Sequence, residues 1–220
     1  MPSTDNAEYP VSVSGDDLIS IEVGSPAEAQ SLAEALRQRG VWREVVAGIN
    51  SVVVQFDTAT IGLENARQGV ENALAKGISP LELSEVLVEI PVVYGGESGP
   101  DFDDVCERTG LTAEELIALH TGTEYRVDLV GFTPGFVYVG GLDKKLNVAR
   151  RESPRQRVEA GSVGIADGRT GLYALPGPGG WPLIGRTAFR LFEPDADDPF
   201  PIRAGMRVRF VSISADAEDA

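Results

Sequence analysis

The sequence predicts an α+β protein in two parts, a small βαββαβ domain over residues 1–94 and a β-barrel over residues 125–220, joined by a helical connector at residues 95–124. Three observations lead to this prediction. Strand-like and helix-like hydrophobic periods alternate through the first part of the chain. Glycine and proline then interrupt the pattern. From Tyr125 onward, short β-rich runs separated by glycine and proline dominate.

The first domain should begin with a strand and a helix. Residues 17–23 alternate apolar and polar side chains, as a half-buried strand does. Ser25, Pro26 and Glu28 supply an N-cap, a first-turn proline and a capping-box acid, so a helix should start here. The helix should end at Gly40, since a left-handed glycine closes many helices.

Two more strands, a second helix and a last strand should follow. The strand-like runs 42–47 and 51–56 flank a short glycine and asparagine turn, which predicts a hairpin. Apolar spacing over 63–74 predicts the second helix. Residues 85–94 form the last strand, in which Pro91 favours an edge or a strand end. The order βαββαβ is the ferredoxin-like arrangement, four strands with two helices on one face.

The connector should contain two short helices. Asp101 and Thr112 each look like a helix cap, and Glu115 completes a capping box with Thr112. The runs YRVDLVGF, SVGIA and RVRFVSI further on are typical of a closed or nearly closed β structure with long loops. We expect the acidic tail at residues 215–220 to be disordered.

Composition argues against several kinds of function. A formal net charge of −15 over 220 residues disfavours nucleic acid and anionic membrane as general partners. One cysteine and one histidine cannot assemble an internal disulfide or a Cys/His zinc cluster, so no metal site is predicted. The N-terminus lacks the features of a secretory signal and no apolar run is long enough to span a bilayer, so we expect a cytoplasmic protein.

Three loops rich in glycine and proline are candidate binding loops: residues 131–136, 159–166 and 177–181. Such loops let a ligand approach the backbone, although tight turns at barrel corners need the same residues. Between the first two loops lies a basic segment, residues 142–157. It fits the binding of a phosphate, a carboxylate or an acidic partner, and it equally fits a solvated surface.

His120 and Cys106 each have a structural explanation beside a functional one. His120 ends a predicted helix, where the dipole favours it, and it is also a candidate acid, base or ligand contact. We interpret Cys106 as a core residue. The sequence contains no P-loop and no serine nucleophile motif, so we do not expect a self-contained hydrolase; ATP would bind through another architecture or across a subunit boundary.

An ordered series of motifs covers almost all of the second half: PVVYGG, GPDFDDV, YRVDLVGFTPGFVYVGGL, AGSVGIA, TGLY and PGGWPLIGRT. In this series the chain resembles the KipI-type family, whose members are the small subunits of 5-oxoprolinase and the allophanate hydrolase subunit 1-like proteins. The resemblance implies a cyclophilin-like β-barrel and ATP-dependent activation of 5-oxoproline, with Mg²⁺ accompanying the ATP. It also implies a larger homologous companion subunit, of the allophanate hydrolase subunit 2-like type, and a third component that opens the lactam.

The resemblance also carries site residues onto this chain. Three are expected as polar contacts at the catalytic site: His120, Arg155 and Arg186. Nine are expected to shape the substrate pocket: Tyr125, Phe132, Pro134, Gly135, Phe136, Tyr173, Gly179, Gly180 and Trp181. The chain departs from the family pattern at five positions, which leaves the exact substrate open: Ala149, Asp167, Arg169, Ala174 and Met206.

Two other functions remain open. Related barrels act as carboxyltransferases in urea carboxylase, and this chain would then need a biotin carrier because it has no biotinyl-lysine motif. Other family members bind and inhibit a histidine kinase, for which the proline and glycine loops would supply the docking surface.

Overall fold

A computed structural model describes residues 9–77 and 86–215 of the chain. The chain divides into two compact units, residues 1–82 and 83–220. The first unit contains β1 (Val11–Ser14), β2 (Leu18–Glu22), α1 (Pro26–Arg37), β3 (Glu44–Ala47), β4 (Ser51–Gln55) and α2 (Leu63–Leu74). The second contains β5 (Leu87–Tyr94), α3 (Phe102–Thr109), α4 (Ala113–Thr121), β6 (Tyr125–Val130), β7 (Val137–Gly140), a 3₁₀ turn (Lys144–Leu146), β8 (Arg155–Val158), β9 (Ser162–Ala166), β10 (Arg169–Leu172), β11 (Gly177–Gly179), β12 (Leu183–Arg186) and β13 (Arg207–Ser212).

The first unit is a four-stranded antiparallel sheet in the order β1-β2-β4-β3, and α1 and α2 contribute to its core. The start of α1 is confirmed: Ser25 Oγ accepts the Glu28 N–H at 3.2 Å, and the Glu28 carboxylate accepts the Gly24 N–H at 2.7 Å. Gly40 has a φ of 65°, the left-handed conformation expected after a helix. The predicted hairpin of β3 and β4 is also present.

The predicted βαββαβ order is wrong at its last strand. Residues 87–94 form β5, a strand of the barrel that pairs in parallel with β13 and antiparallel with β12. The place beside β2 is taken instead by β1, which forms a hairpin with it. A local β pattern predicts a strand but not its partner, because the two edges of a strand accept any suitable neighbour. The ferredoxin-like arrangement of the first unit is therefore not confirmed.

The second unit is built on a closed seven-stranded barrel in the order β10-β7-β6-β13-β5-β12-β9, beside a small two-stranded ribbon of β8 and β11. This confirms the predicted α+β class with a closed barrel. Pro91 is part of the barrel strand β5, but the ladder between β5 and β12 ends at Val93. The missing N–H of Pro91 therefore breaks no hydrogen bond on that side.

The two helices of the predicted connector are present, and they pack on the barrel. Phe102, Val105 and Leu116 lie in the core of the second unit. The capping box of Thr112 and Glu115 is confirmed. Asp101 stands at the N-cap of α3, yet its side chain makes no capping hydrogen bond and instead accepts one from the Leu183 N–H of the barrel strand β12.

Within the described residues, no helix has both the length and the apolar character needed to cross a membrane. The predicted disordered tail lies outside these residues, apart from Ala215.

Candidate functional site

An aromatic pocket with a volume of about 190 Å³ lies on the second unit. Phe136 is at its centre: its ring centroid is 4.9 Å from that of Tyr173, 4.7 Å from that of Tyr138 and 6.2 Å from that of Trp181. Phe132 contacts Phe136 edge-on at 5.7 Å and is 68% exposed. We call this site, with its lining arginines and glycines, the aromatic pocket.

Glycines let these rings pack closely. A Cβ on Gly171 would lie 2.8 Å from Phe136 and 2.9 Å from Trp181. A Cβ on Gly179 would overlap the Tyr173 hydroxyl. Glycine is needed at both positions because these gaps are shorter than real Cβ contacts. Close packing therefore explains Gly179 of the GPGGW loop without requiring an anion-binding backbone.

Two arginines line the aromatic pocket. The Arg150 guanidinium lies 5.7 Å from the Trp181 ring centroid, and its Nε donates to Asp167 at 2.8 Å. The backbone N–H of Arg151 donates to the Gly180 carbonyl at 2.7 Å, which joins the basic segment to the glycine loop. The predicted basic segment therefore contributes cations directly to the pocket.

Asp101 forms ion pairs with two arginines, Arg151 and Arg155. It is 5% exposed and receives a two-pronged hydrogen bond from Arg155, with both N···O distances 2.8 Å. Arg151 donates to it at 2.8 Å and the Leu183 N–H at 2.7 Å. Burial raises the pKa of Asp101, but the hydrogen bonds from Arg155 and Leu183 and the two guanidinium charges outweigh it, so the pKa lies below the usual value.

Sequence reasoning missed this role of Asp101. The local pattern indicates only a helix cap, although the residue lies within the GPDFDDV motif. Its partner Arg155 is 54 residues away along the chain. No local pattern connects the two, and Arg155 itself does not line the aromatic pocket.

His120 and Tyr125 are core residues. His120 is 0% exposed, with Nδ1 2.6 Å from the Tyr94 hydroxyl and Nε2 2.9 Å from the Thr170 hydroxyl. Burial lowers the pKa of His120 to about 3, so the ring is neutral. The Tyr125 hydroxyl donates to the His120 carbonyl at 2.9 Å, and burial followed by the charge of Asp143 raises the Tyr125 pKa to about 12. This placement favours a structural role for both residues.

Pro134 and Gly135 line a neighbouring groove of about 500 Å³, which also includes Phe132. Gly135 has a φ of 76°, and a Cβ there would lie 2.7 Å from the Cβ of Phe192. Phe132 also has a positive φ, 76°, which is uncommon for a residue with a bulky side chain. The strained loop places the exposed Phe132 ring between the groove and the aromatic pocket.

A polar cleft of about 660 Å³ contains Arg186 and Arg190 together with Gly161, Phe189 and Phe192. Arg186 is exposed, and its charge interacts with that of Glu159. The structure therefore does not bring Arg186 into the aromatic pocket. The two sites are neighbours through the chain, because Tyr173 lines the pocket and Ala174 lines the cleft.

The five departures from the family pattern have visible consequences at three positions. Asp167 has a φ of 50°, which a glycine would adopt freely, and it pairs with Arg150. The Arg169 Nε donates to Asp128 at 3.0 Å. Ala174 lies against Gly135. Ala149 accepts a hydrogen bond from Arg108, and the Met206 sulfur accepts one from the Arg203 N–H. These last two contacts give no reason for the departures.

Within residues 9–77 and 86–215, no group of three or more histidine, cysteine, aspartate or glutamate residues is arranged to hold a metal ion.

The closed barrel and its small pocket of aromatic and arginine side chains define the class as a barrel protein with a cationic, aromatic pocket. The model of the family described as carboxyltransferase domain, subdomain C and D, matches residues 10–202. The chain belongs to this family, in its KipI-type branch, which confirms the resemblance found in the sequence.

Two relatives are each named as the B subunit of a 5-oxoprolinase. The Escherichia coli O157:H7 protein is 37% identical over 90% of this chain and 93% of its own length. The Bacillus subtilis protein is 46% identical over 69% of this chain, and the match spans 63% of that relative. The crystal structure of TTHA0988 matches 90% of this chain with a TM-score of 0.77 and 33% identity, and the match spans 40% of that longer chain.

Proposed function

We propose that this chain is the small subunit of a heteromeric, ATP-dependent 5-oxoprolinase that activates a cyclic amide for hydrolysis. Two supports are the 5-oxoprolinase name carried by its relatives and the family membership. The chain lacks the serine nucleophile motifs of amidases, so activation of the amide by phosphorylation fits it better than direct attack on the amide by a serine. We further propose that it is inactive alone and acts in the cytoplasm with a larger homologous subunit and a third, lactam-opening component.

The observation that carries this proposal is the aromatic pocket. Its volume of about 190 Å³ is below the range of roughly 300–1,000 Å³ of sites for drug-sized ligands, so it suits a compact molecule. Its aromatic rings provide flat contacts for a five-membered ring. Arg150 and Arg151 provide donors for a carboxylate. 5-Oxoproline combines these features in a single small molecule.

Activation in this proposal is a phosphoryl transfer. The lactam carbonyl oxygen attacks the γ-phosphorus of ATP, the bond from that phosphorus to the bridging oxygen breaks, and ADP leaves. Water then attacks the carbon that bears the phosphorylated oxygen, phosphate leaves, and the C–N bond of the ring breaks to give glutamate. Arginine side chains and backbone N–H groups favour such a step by stabilising negative charge on the transferring group.

We place the ATP in the cleft around Arg186 and Arg190. Its volume of about 660 Å³ fits a nucleotide, whereas the aromatic pocket is too small for one. The two arginines provide charges for the phosphates, and Phe189 and Phe192 provide apolar surface. Mg²⁺ would arrive bound to the phosphates. Tyr173 lines the pocket and the adjacent Ala174 lines the cleft, so the two substrates would bind next to each other.

The test is 5-oxoproline-dependent ATP hydrolysis by this chain co-expressed with the larger subunit and supplied with the lactam-opening component. We expect turnover only in the complete mixture. Arg186→Ala should raise the KM for ATP, and Trp181→Ala should raise the KM for 5-oxoproline. Arg157→Ala is the control, because Arg157 is exposed and pairs only with Glu159 among the described residues. A stable complex without turnover would contradict the proposal.

The second candidate is a carboxyltransferase subunit acting on urea or a related amide, favoured by the name of the family model. It would transfer a carboxylate from a biotin carrier and consume no ATP in this step. The same complex incubated with carboxylated biotin and urea separates the two candidates. Loss of carboxylate from biotin that depends on urea would favour the transferase.

A further inference from the structure

Two arginines that line the aromatic pocket and one that lies outside its lining are paired with one carboxylate fewer than their number. Arg150, Arg151 and Arg155 share two carboxylates, those of Asp101 and Asp167. This local excess stands in a chain whose formal net charge is −15. One positive charge is therefore left for a ligand.

Asp101 cannot take up that charge, because its carboxylate is saturated. Oδ1 accepts from Arg151 and Arg155, and Oδ2 accepts from Arg155 and the Leu183 N–H. A carboxylate has about four lone-pair sites, and all of them are used here. Arg155 gives two nitrogens to Asp101 and lies outside the pocket lining. The charge of Arg155 is therefore already paired within the protein.

Arg151 is different. Only its Nη1 donates to Asp101, whereas a guanidinium has five N–H donors. Its backbone is fixed to Gly180 at 2.7 Å, and its side chain lines the pocket with 38% of its surface exposed. Among the described residues, no second acceptor engages the guanidinium. Both ends of Arg151 are held, and its remaining donors are available to a ligand.

We infer that Asp101 is a positioning residue that fixes Arg151 at the pocket, and that the pocket takes a ligand with a single carboxylate bound by Arg151. This inference deepens the proposed function and rests on it for the identity of the substrate. Arg155, which the family resemblance marks as a polar contact at the catalytic site, acts instead through Asp101.

The test measures binding to the full chain by Trp181 fluorescence, in a Trp42→Phe background so that Trp181 is the single tryptophan. The probes are 5-oxoproline, its neutral amide, and cyclopentanecarboxylate with its amide. Each pair differs in one charge. The wild-type chain should prefer the acid of each pair by about 10- to 100-fold, the effect of one charged hydrogen bond.

The variants separate a contact from a structural role. Arg151→Ala should abolish the preference for the acid and leave the binding of the amides unchanged, and Arg151→Lys should restore part of it. Asp101→Asn should also reduce the preference, whereas a merely structural role would weaken acid and amide equally. Arg157→Ala, on the same strand as Arg155, should change nothing. If Asp101→Asn fails to fold, Arg151→Ala decides alone, since Arg155 still pairs with Asp101 in that variant.

Two outcomes would overturn the inference. The first is a wild-type chain that prefers neither acid over its amide. The second is a preference for the acid that survives Arg151→Ala. Failure of the proposed function looks different: the acids would still be preferred through Arg151, while the complete complex would show no ATP hydrolysis dependent on 5-oxoproline.

Discussion

Replacement of His120 tests whether the second unit depends on a neutral, buried histidine. In His120→Phe the new ring fills most of the space and still faces Phe210, whose ring stacks on His120 at 4.3 Å. The hydroxyls of Tyr94 and Thr170, however, lose their partner. A buried polar group without a partner costs about 1–3 kcal/mol. With two such groups, the variant should lose about 2–6 kcal/mol of unfolding free energy at pH 7.

The dependence on pH gives a sharper expectation. Burial lowers the His120 pKa from 6.5 to about 3, so between these values the unfolded chain binds a proton that the folded chain does not. The stabilisation is complete above pH 6.5 and is lost as the pH falls toward 3. From pH 7 to pH 5 the loss is about 2 kcal/mol, because each pH unit below the unfolded pKa costs about 1.4 kcal/mol.

The phenylalanine variant has no such proton, and His120 is the single histidine in the chain. The gap in stability between wild type and variant should therefore shrink by about 2 kcal/mol from pH 7 to pH 5. The assay is urea unfolding followed by Trp181 fluorescence in a Trp42→Phe background, since Trp181 belongs to the second unit and Trp42 to the first. A gap that does not change with pH would show that His120 titrates normally in the folded protein.

Two further predictions concern the support of the aromatic pocket. Arg155→Ala should lower the unfolding free energy of the second unit by about 3 kcal/mol. This value is the lower end of the cost of breaking a buried ion pair, because Arg151 still faces Asp101 in the variant. The pKa of Asp101 lies below its usual value, so this loss of unfolding free energy should be full at neutral pH and should fade as the pH falls through that pKa. Urea unfolding at several pH values measures it, and a loss that does not change with pH would contradict the prediction. Gly179→Ala should cost about 1–3 kcal/mol because the new methyl group displaces Tyr173. Gly177→Ala, where a Cβ meets no atom within 4 Å, should change stability little, and equal effects of the two substitutions would refute the packing argument.

The local elements of the first unit were predictable because their signals are local. The cap of α1, the hairpin of β3 and β4 and the glycine after α1 each depend on a few neighbouring residues. The assignment of β5 failed because strand pairing depends on β13, more than a hundred residues later. β1 was missed because its four residues, VSVS, bury little surface and show no strong apolar pattern.

The candidate site was predictable in its residue types and less so in their roles. The loops at 131–136 and 177–181 do meet, and with Tyr173 they form the aromatic pocket. Their aromatic and glycine residues depend on one another, since Tyr173 can pack against residue 179 only because that residue is a glycine. Asp101 could not be assigned in the same way, because its role arises from contacts with distant parts of the chain.

His120, Arg155 and Arg151 show why a family signature does not by itself separate a binding residue from a supporting one. Each side chain needs its specific donors, so its identity is equally constrained in either role. What distinguishes them is how many donors the protein has already used. His120 has both ring nitrogens bonded within the core, and Arg155 gives two nitrogens to one buried carboxylate. Arg151 gives that carboxylate one hydrogen bond and keeps the rest of its guanidinium at the pocket. The count of used donors therefore favours ligand contact by Arg151 over Arg155.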